Sequence, residues 1–217
     1  MSLDYSIVIQ KFPILLDGCW VTLEISFLSL LLGLIFGIAG ALCRISSHRL
    51  LSSIAFLYVW VIRGTPVLVQ LFILYFALPQ IGIRLSSMTA GVLGLAVNTG
   101  AYITEIIRAG IQAVDKGQME AALSLGMKPR QAMIRIIGPQ AFKMCIPPLV
   151  NQFITNLKNS SIASLVTITE LFRTGEQIIH ASYRSFEVYT VVAVLYLAMN
   201  SIFMIIADKL EKGMARQ

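Results

Sequence analysis

The sequence predicts an all-α membrane protein with five membrane-spanning helices. Of its 217 residues, 57% are hydrophobic and only 13% are charged, and the mean hydropathy is +0.79. Soluble domains average about 25% charged and about 45–50% apolar residues. Several apolar runs also approach the roughly 20 residues that a helix needs to cross a bilayer. We therefore expect one transmembrane domain over residues 1–217.

The first predicted span covers about residues 21–43 and contains Gly33, Gly37 and Gly40. This spacing puts the three glycines on one helix face. A face of small residues lets another helix approach closely, so we expect a helix neighbour along it. Residues 2–11, before the span, are expected to form an interfacial amphipathic segment.

The second predicted span, about residues 54–78, is interrupted by Arg63, Gly64, Thr65 and Pro66. Proline suits the first turn of a helix, and Thr65 before it is a suitable N-cap. We therefore expect a kink or a new helix start at Pro66. Two interpretations stay open: a simple kink at the interface with Arg63 on lipid phosphates, or a kink that shapes a translocation path.

The third predicted span, about residues 87–110, becomes polar in its second half. Asn98, Tyr102 and Glu105 share one helical face there. Ionisable groups at membrane depth usually face the bundle interior or a water-filled cavity, which predicts that these residues line a path. The alternative is that Glu105 pairs with Arg108 and only holds the end of the helix.

The fourth predicted span, about residues 140–158, is interrupted by prolines and leads into Lys158, Asn159, Ser160 and Ser161. A short, proline-interrupted span that ends in polar residues is a pointer to a substrate site. The alternative is a C-terminal cap with Lys158 at lipid headgroups. Residues 162–187 predict short helices on the exterior face, and about residues 188–207 form the fifth span.

Residues 117–139 lie between the third and fourth spans and mix charged with apolar side chains, which predicts a docking surface for a soluble partner. Five spans place this loop and the C-terminus on one side of the membrane. Twelve Lys and Arg residues fall on that side: Arg44, Arg49, Arg63, Arg108, Lys116, Lys128, Arg130, Arg135, Lys143, Lys209, Lys212 and Arg216. Five fall elsewhere: Lys11, Arg84, Lys158, Arg173 and Arg184. The positive-inside rule therefore predicts a cytoplasmic C-terminus and an exterior N-terminus.

The sequence carries no sign of an enzyme. There is no GxxxxGK[ST] phosphate loop, and no serine, histidine and acid constellation. Cys19, Cys43 and Cys145 show no metal-ligand spacing and are expected to be free thiols. We therefore expect no catalytic residue, no metal site and no cofactor bound by this chain itself.

The loop carries a recognisable motif. Glu120-Ala121-Ala122, followed by Gly126 and then by Ile136-x-x-Pro139, resembles the EAA loop of ABC-importer permeases. That family usually has leucine before the proline, where this chain has Gly138. Other segments resemble the polar amino acid permeases of the same superfamily: RGTPVLVQ (63–70), NTGAYITEIIRAGI (98–111), KGQMEAALSLG (116–126) and LKNSSIASLVTITEL (157–171).

This resemblance implies the type I ABC importer permease fold in a bacterial inner membrane. It implies a second permease subunit, identical or similar, and an extracytoplasmic amino-acid-binding protein. It also implies two cytosolic ABC ATPase subunits, which bind ATP-Mg in place of the permease. The coupling residues would be Glu120, Ala121, Ala122, Leu125 and Gly126.

Physical chemistry fits these roles. Ala121 and Ala122 keep one face of the short helix small enough to seat in a groove, and Glu120 is expected in the first turn, where the helix dipole favours a negative charge. Gly126 suits the C′ position that ends the helix, and Pro129 is expected to open the next one.

Two other functions compete with this one. A gradient-driven secondary transporter or channel has no need of an EAA loop, and a membrane-embedded enzyme would need paired carboxylates or metal ligands at depth. Among polar amino acids the substrate stays open. Asn159, where some relatives carry aspartate, favours a glutamine-like side chain, whereas Glu105 keeps a basic amino acid possible.

Overall fold

A computed structural model of the chain describes residues 3–215, with the exception of the side chains of residues 210, 211 and 213–215 in α9. Arg216, counted above on the cytoplasmic side, and Ser2 lie outside the described residues. The described part is helical. Its helices are α1 (Ser6–Arg44), α2 (Arg49–Gly64), α3 (Val67–Phe72), α4 (Ser87–Ala113), α5 (Lys116–Ser124), α6 (Pro129–Ala132), α7 (Gly138–Asn159), α8 (Leu171–Ser182) and α9 (Ser185–Ala215). Short π or 3-10 turns follow α3, α6 and α7: Ile73–Ala77, Leu78–Ile81, Met133–Ile137 and Ser160–Val166.

The most extensive helix contact is that of α1 with α4, and glycines allow the close approach. A Cβ atom at Gly37 would lie 2.4 Å from Ile103 Cγ2, and one at Gly40 would lie 2.3 Å from Thr104 Oγ1. Gly33 similarly faces Thr99 and the carbonyl oxygen of Ala96. The predicted small-residue face is therefore confirmed, and its partner is α4.

The first helix starts earlier than the sequence predicts. Helix α1 runs without a break from Ser6 to Arg44, so residues 6–11 are not a separate interfacial segment. Val8 and Leu15 are buried in one cluster with Phe153 and Leu157 of α7. This packing against the rest of the bundle explains why the segment continues the helix.

The predicted break in the second apolar run is a sharp bend. Helix α2 and the segment Val67–Ile81 meet at 104°. The predicted capping was wrong, because Pro66 occupies the N-cap position of α3 and the Thr65 hydroxyl caps no backbone N–H. That hydroxyl instead donates to the carbonyl of Val61 at 2.9 Å and accepts from Gln70 Nε2 at 2.9 Å.

The last helices pack around α1 and α7. Three aromatic rings, Phe27, Phe153 and Phe203, join α1, α7 and α9, with centroids 4.7–5.8 Å apart. Helix α8 lies against α1 and α9, and its buried residues include Leu171 and Ile178. Residues 162–187 therefore do form short helical pieces.

Three helices of the described chain are long and apolar enough to cross a membrane, Ser6–Arg44, Ser87–Ala113 and Ser185–Lys209, and the bent pair after α1 makes up to four. Helix α7 is not among them, because Lys143, Gln152, Asn156 and Lys158 lower its hydropathy. The count of five spans, with its boundaries, stays a prediction.

Candidate functional site

The predicted path residues of α4 do not share one environment. Asn98 is buried, and its Nδ2 donates to Gln70 Oε1 at 3.2 Å. Gln70 Nε2 in turn donates to the carbonyls of Ile62 and Thr65, at 2.8 and 3.1 Å. Asn98 therefore holds the bend between α2 and α3 by way of Gln70, a residue that the sequence analysis did not single out.

Tyr102 and Glu105, one and two turns further along α4, line a cavity of about 390 Å³ with α1 and α2. Arg44, Arg63 and Gly64 contribute to the same cavity. The guanidinium of Arg63 lies over the Tyr102 ring, with Cζ 5.0 Å from the centroid. Two predicted path residues and part of the predicted kink therefore meet at one place.

The predicted alternative for Glu105 is also present. Arg108 donates to its carboxylate from Nε at 3.0 and 3.1 Å and from Nη2 at 2.7 Å. Arg44 Nε lies 3.5 Å from Oε1 and makes no aligned hydrogen bond there or with any other described residue. The carboxylate is thus engaged from two sides, by α1 and by its own helix.

The polar residues that end α7 lie at a different cavity. Lys158 and Ser161 line a space of about 360 Å³ with Phe172, Tyr189 and Tyr196 of α8 and α9. The lining combines the Lys158 ammonium group with hydroxyl groups and aromatic rings. This combination suits a small ligand that has a carboxylate and a partly apolar remainder.

The hydroxyls of this segment partly support the capping alternative. The Ser160 hydroxyl donates to the Leu157 carbonyl and that of Ser161 to the Lys158 carbonyl, each at 2.7 Å. Ser160 is fully buried, whereas Asn159 is half-buried. Ser160 therefore belongs to the helix end, and Lys158 and Ser161 to the cavity.

Sequence analysis missed a buried polar network at the centre of the bundle. Asn156 Nδ2 donates to the Ser26 carbonyl at 3.0 Å and to Ser29 Oγ at 2.9 Å, and its Oδ1 accepts from Thr99 Oγ1 at 3.0 Å. These bonds tie α7 to α1 and α4. The available signal was Gln152 with Asn156, two amides spaced i, i+4 within an apolar run.

Glu170 was also missed. Its fully buried carboxylate accepts from the backbone N–H groups of Phe172 and Arg173 and, at 2.7 Å, from the Tyr196 hydroxyl. Burial raises the pKa of this carboxyl above its ordinary value, while the hydrogen bonds oppose the rise. Its position just before the amphipathic run of α8 was the signal for a helix cap.

The segment between α4 and α7 begins with a cap that the sequence analysis also passed over. The Asp115 side chain accepts from the Gly117 N–H at 2.7 Å at the start of α5. The placement of Glu120 in the first turn was wrong, because α5 begins at Lys116 and its first turn holds no acidic residue. The charge that the N-terminal dipole favours is that of Asp115.

Gly126 ends α5 as its sequence position predicted. Its φ is +81°, in the left-handed region. The Gly126 N–H donates to the Leu123 carbonyl and the Met127 N–H to the Ala122 carbonyl, at 2.9 and 3.1 Å. These two bonds form a Schellman motif. Pro129 then opens α6, also as predicted.

The exposed surface of this segment mixes charged residues with large apolar ones, and it is not the alanine face. Ala122 is buried by the chain itself, whereas Ala121 is exposed. Leu125 is 84% exposed and Ile134 is 61% exposed. A small buried cluster of Val114, Ile137 and Ala141 lies beneath the segment and ties it to α4 and α7.

Gly138 has a local explanation. It follows the π turn Met133–Ile137 and is the first residue of α7. A Cβ atom there would lie 2.9 Å from the Met133 carbonyl oxygen, which is closer than real side chains come. Glycine at this position accommodates the widened turn.

The described residues contain no group of three or more His, Cys, Asp or Glu side chains placed to hold a metal ion. All three cysteines are free.

Comparison with known proteins identifies the family to which the chain belongs. Residues 29–216 match the family described as "Binding-protein-dependent transport system inner membrane component". The chain is 40% identical over 213 residues to the arginine transport system permease protein ArtQ of Bacillus subtilis, covering 98% of this chain and 97% of that protein. It is 36% identical over 216 residues to the glutamine transport system permease protein GlnP of Escherichia coli K12, covering 99% of each.

Solved structures agree. A chain from the crystal structure of an amino acid ABC transporter with histidines superposes with a TM-score of 0.94 at 42% identity, covering 98% of this chain and 99% of that one. A chain of the inward-facing MetNI methionine ABC transporter superposes with a TM-score of 0.80 at 21% identity, covering 94% and 97%, and shows a shared fold. Both neighbours come from ABC transporters, which agrees with the family that the sequence resembles.

Proposed function

Because this chain belongs to the family of binding-protein-dependent transport system inner membrane components, we propose that it forms the translocation path of an ATP-driven importer of polar amino acids. The observation that carries the proposal is the segment of residues 116–137, which exposes Leu125 and Ile134 among charged residues and lies between the two helices that bear the candidate path residues. A second permease subunit, two cytosolic ATPase subunits and an extracytoplasmic binding protein complete the importer.

The connection of α5 to the bundle supports a coupling role. The cluster of Val114, Ile137 and Ala141 joins the end of α4 to the start of α7, directly beneath α5. Met119 of α5 packs on it. An ATPase that grips Leu125 and Ile134 from the cytosol would therefore move α4 and α7 together. Such a partner can shift the balance of two states only by binding them unequally.

The geometry of the path residues favours a substrate with a neutral side chain. Lys158 offers an ammonium to a substrate carboxylate, with the Ser161 and Tyr196 hydroxyls beside it. Glu105, the carboxylate that would hold a cationic side chain, is already engaged by Arg108 and Arg44. A glutamine-like amino acid therefore fits this path better than a basic one. Asn98, Asn159 and Ser160 support the walls of the path.

Reconstitution tests the proposal. Proteoliposomes that hold this chain, its cognate ATPase and its binding protein should take up radiolabelled glutamine only with ATP. Replacing Leu125 with aspartate should lower uptake at least about tenfold, since a charge would enter an apolar contact. The isolated chain should keep its melting temperature, because exposed substitutions cost at most about 0.5 kcal/mol.

The matched control is Leu125→Met, which keeps an apolar side chain of similar volume and should transport normally. Uptake by the chain without any ATPase would instead make it a secondary transporter or channel. Full uptake by Leu125→Asp would remove α5 from the coupling surface.

A substitution at Asn159 tests the choice of substrate separately. Asn159→Asp places a carboxylate beside Lys158 and should raise the competition of arginine against glutamine uptake several-fold. Asn151→Asp, on an exposed position of the same helix, should leave the competition profile unchanged. Identical profiles for both variants would leave substrate choice to the binding protein.

A further inference from the structure

We propose that the cavity between α2 and α4 binds the headgroup of an anionic phospholipid. Arg44, Arg63, Trp60, Tyr102 and Glu105 line it, together with Phe56, Val59 and Gly64. The importer activity proposed above does not require such a site, and the inference stands on the charges and the surface of this cavity alone.

The charges around the cavity do not balance. Arg44, Arg63 and Arg108 carry three positive charges, and Glu105 carries one negative charge. Arg108 donates three short contacts to Glu105, and Arg44 pairs with the same carboxylate at 3.5 Å, so two arginines share one negative charge. Arg63 makes no ion pair with a described residue, and its guanidinium lies over the Tyr102 ring. Three positive charges against one negative charge leave a net charge of +2, and the guanidinium groups of Arg44 and Arg63 line the cavity.

Both guanidinium groups are held in place by aromatic rings. Arg44 Cζ lies 5.2 Å from the centroid of Phe56, and Arg63 Cζ lies 5.0 Å from that of Tyr102. Both rings line the same cavity. Cation–π contacts hold an arginine without neutralising it, and a planar guanidinium binds phosphate oxygens in pairs. The arrangement thus suits a phosphodiester better than a single point charge.

The outer surface of α2 indicates that this anion carries acyl chains. Trp60, beside the arginines, is 65% exposed, and Leu57 and Ile54 on the same helix are 55% and 58% exposed. On the other side of α2 lies an apolar cavity of about 470 Å³, lined by Phe36, Ile54 and Tyr58 among others. Large exposed tryptophans are typical of membrane interfaces. Apolar surface next to a group of side chains with a net positive charge matches an anionic lipid.

A free amino acid fits the cavity less well. Its carboxylate could meet Arg63, but its ammonium would need an acceptor, and Glu105 is already occupied. A soluble phosphate would pair with the arginines but would make no contact with the exposed apolar surface of α2.

Fluorescence quenching tests the site directly. The chain contains two tryptophans, Trp20 and Trp60. In a Trp20→Phe background, Trp60 is the only source of tryptophan fluorescence. The full-length chain is placed in phosphatidylcholine bilayers with a small fraction of brominated phosphatidylglycerol or of brominated phosphatidylcholine. We expect phosphatidylglycerol to quench Trp60 with at least about tenfold higher apparent affinity, because basic groups near the membrane each contribute about fivefold.

The arginines are then replaced by glutamine. Arg44→Gln and Arg63→Gln should each reduce the preference for phosphatidylglycerol about fivefold, and the pair should abolish it. Arg49→Gln and Arg84→Gln remove the same charge outside the cavity and should leave the preference intact. The comparison of the two brominated lipids needs no arginine variant, so it decides the matter even if a variant fails to fold.

Three results would overturn the proposal. Equal quenching by both lipids would show that Trp60 meets bulk lipid alone. Displacement of the brominated lipid by inorganic phosphate at low millimolar concentration would make the cavity a site for soluble anions. Displacement by free glutamine or arginine would make it part of the substrate path.

Discussion

Two polar regions of this chain are built on opposite rules. Around Asn156 the polar groups are neutral and fully buried, and the three hydrogen bonds of its amide join α7 to α1 and α4. Around Glu105 the groups are charged and partly exposed, with side-chain exposures of 18–28% for Glu105, Arg44 and Arg108. The first region lies deep among packed helices, and the second lies where α1 and α4 end.

The difference follows from the cost of desolvation. Removing a charge from water costs several kcal/mol even when it is paired, whereas a buried amide costs little once all its hydrogen bonds are made. The neutral network can therefore fix the packing of three helices without any solvent. The charged cluster keeps contact with solvent or headgroups, so its partners can exchange. Rigid packing and adjustable contacts are thus placed at different depths.

The largest expected effect comes from a charge in the neutral region. Asn156→Asp keeps the shape of the side chain but replaces two donated hydrogen bonds with a carboxylate facing the Ser26 carbonyl. An unpaired buried charge costs about 3 kcal/mol or more. We expect the variant to lose roughly that much stability at pH 7 in detergent. Part of it should return at pH 5, because protonation removes the charge.

The control is Gln118→Glu, which introduces a carboxylate at an exposed position of α5, outside the predicted spans, and should cost less than about 0.5 kcal/mol. Equal melting temperatures for the two variants would mean that water reaches Asn156, and the contrast between the regions would fail.

Removing a charge from the region around Glu105 should cost far less stability than adding one at Asn156. Glu105→Gln leaves Arg108 and Arg44 without a carboxylate, but these side chains are partly exposed and their repulsion is screened. We expect a loss of about 1 kcal/mol or less at low salt. The loss should shrink further in about 0.5 M NaCl, since the Debye length falls as salt rises. A salt-independent loss above 2 kcal/mol would show that the cluster is effectively buried.

Much of this architecture is readable from the sequence, because it depends on local patterns. Hydropathy predicts the long apolar helices, and small-residue spacing predicts the face by which α1 meets α4. Gly126 and Pro129 predict where α5 ends and α6 begins, since each meets a backbone requirement that few residues share.

What the sequence does not give is the choice of partners. Asn98, Tyr102 and Glu105 share a face by periodicity, yet Asn98 meets Gln70 across a 104° bend whose angle no local rule supplies. Ala122 looks available for docking, but tertiary packing buries it. Asn156 and Glu170 each depend on contacts more than 20 residues away along the chain.

Glu170 provides the finest test, because it is a carboxyl in a neutral setting. Burial raises its pKa in the folded chain, so folding favours its protonated form. The stability that this carboxyl contributes is then complete below its unfolded pKa, near 4.3, and is lost as pH rises through the folded value. Glu170→Gln cannot ionise and mimics the protonated acid.

The melting temperature of the unaltered chain, minus that of Glu170→Gln, should therefore fall as pH rises above about 4. The Tyr196 hydroxyl and the N–H groups of Phe172 and Arg173 donate to Glu170, Glu176 lies nearby and adds repulsion, and the Cys19 thiol of α1 is also close enough to interact with the carboxylate. Glu176→Gln serves as the control and should show a much smaller change with pH. A difference that instead grows with pH would mean that the three hydrogen bonds outweigh desolvation. Glu170 would then be a stable buried anion, and the rule that keeps charges out of the bundle core would have an exception at the start of α8.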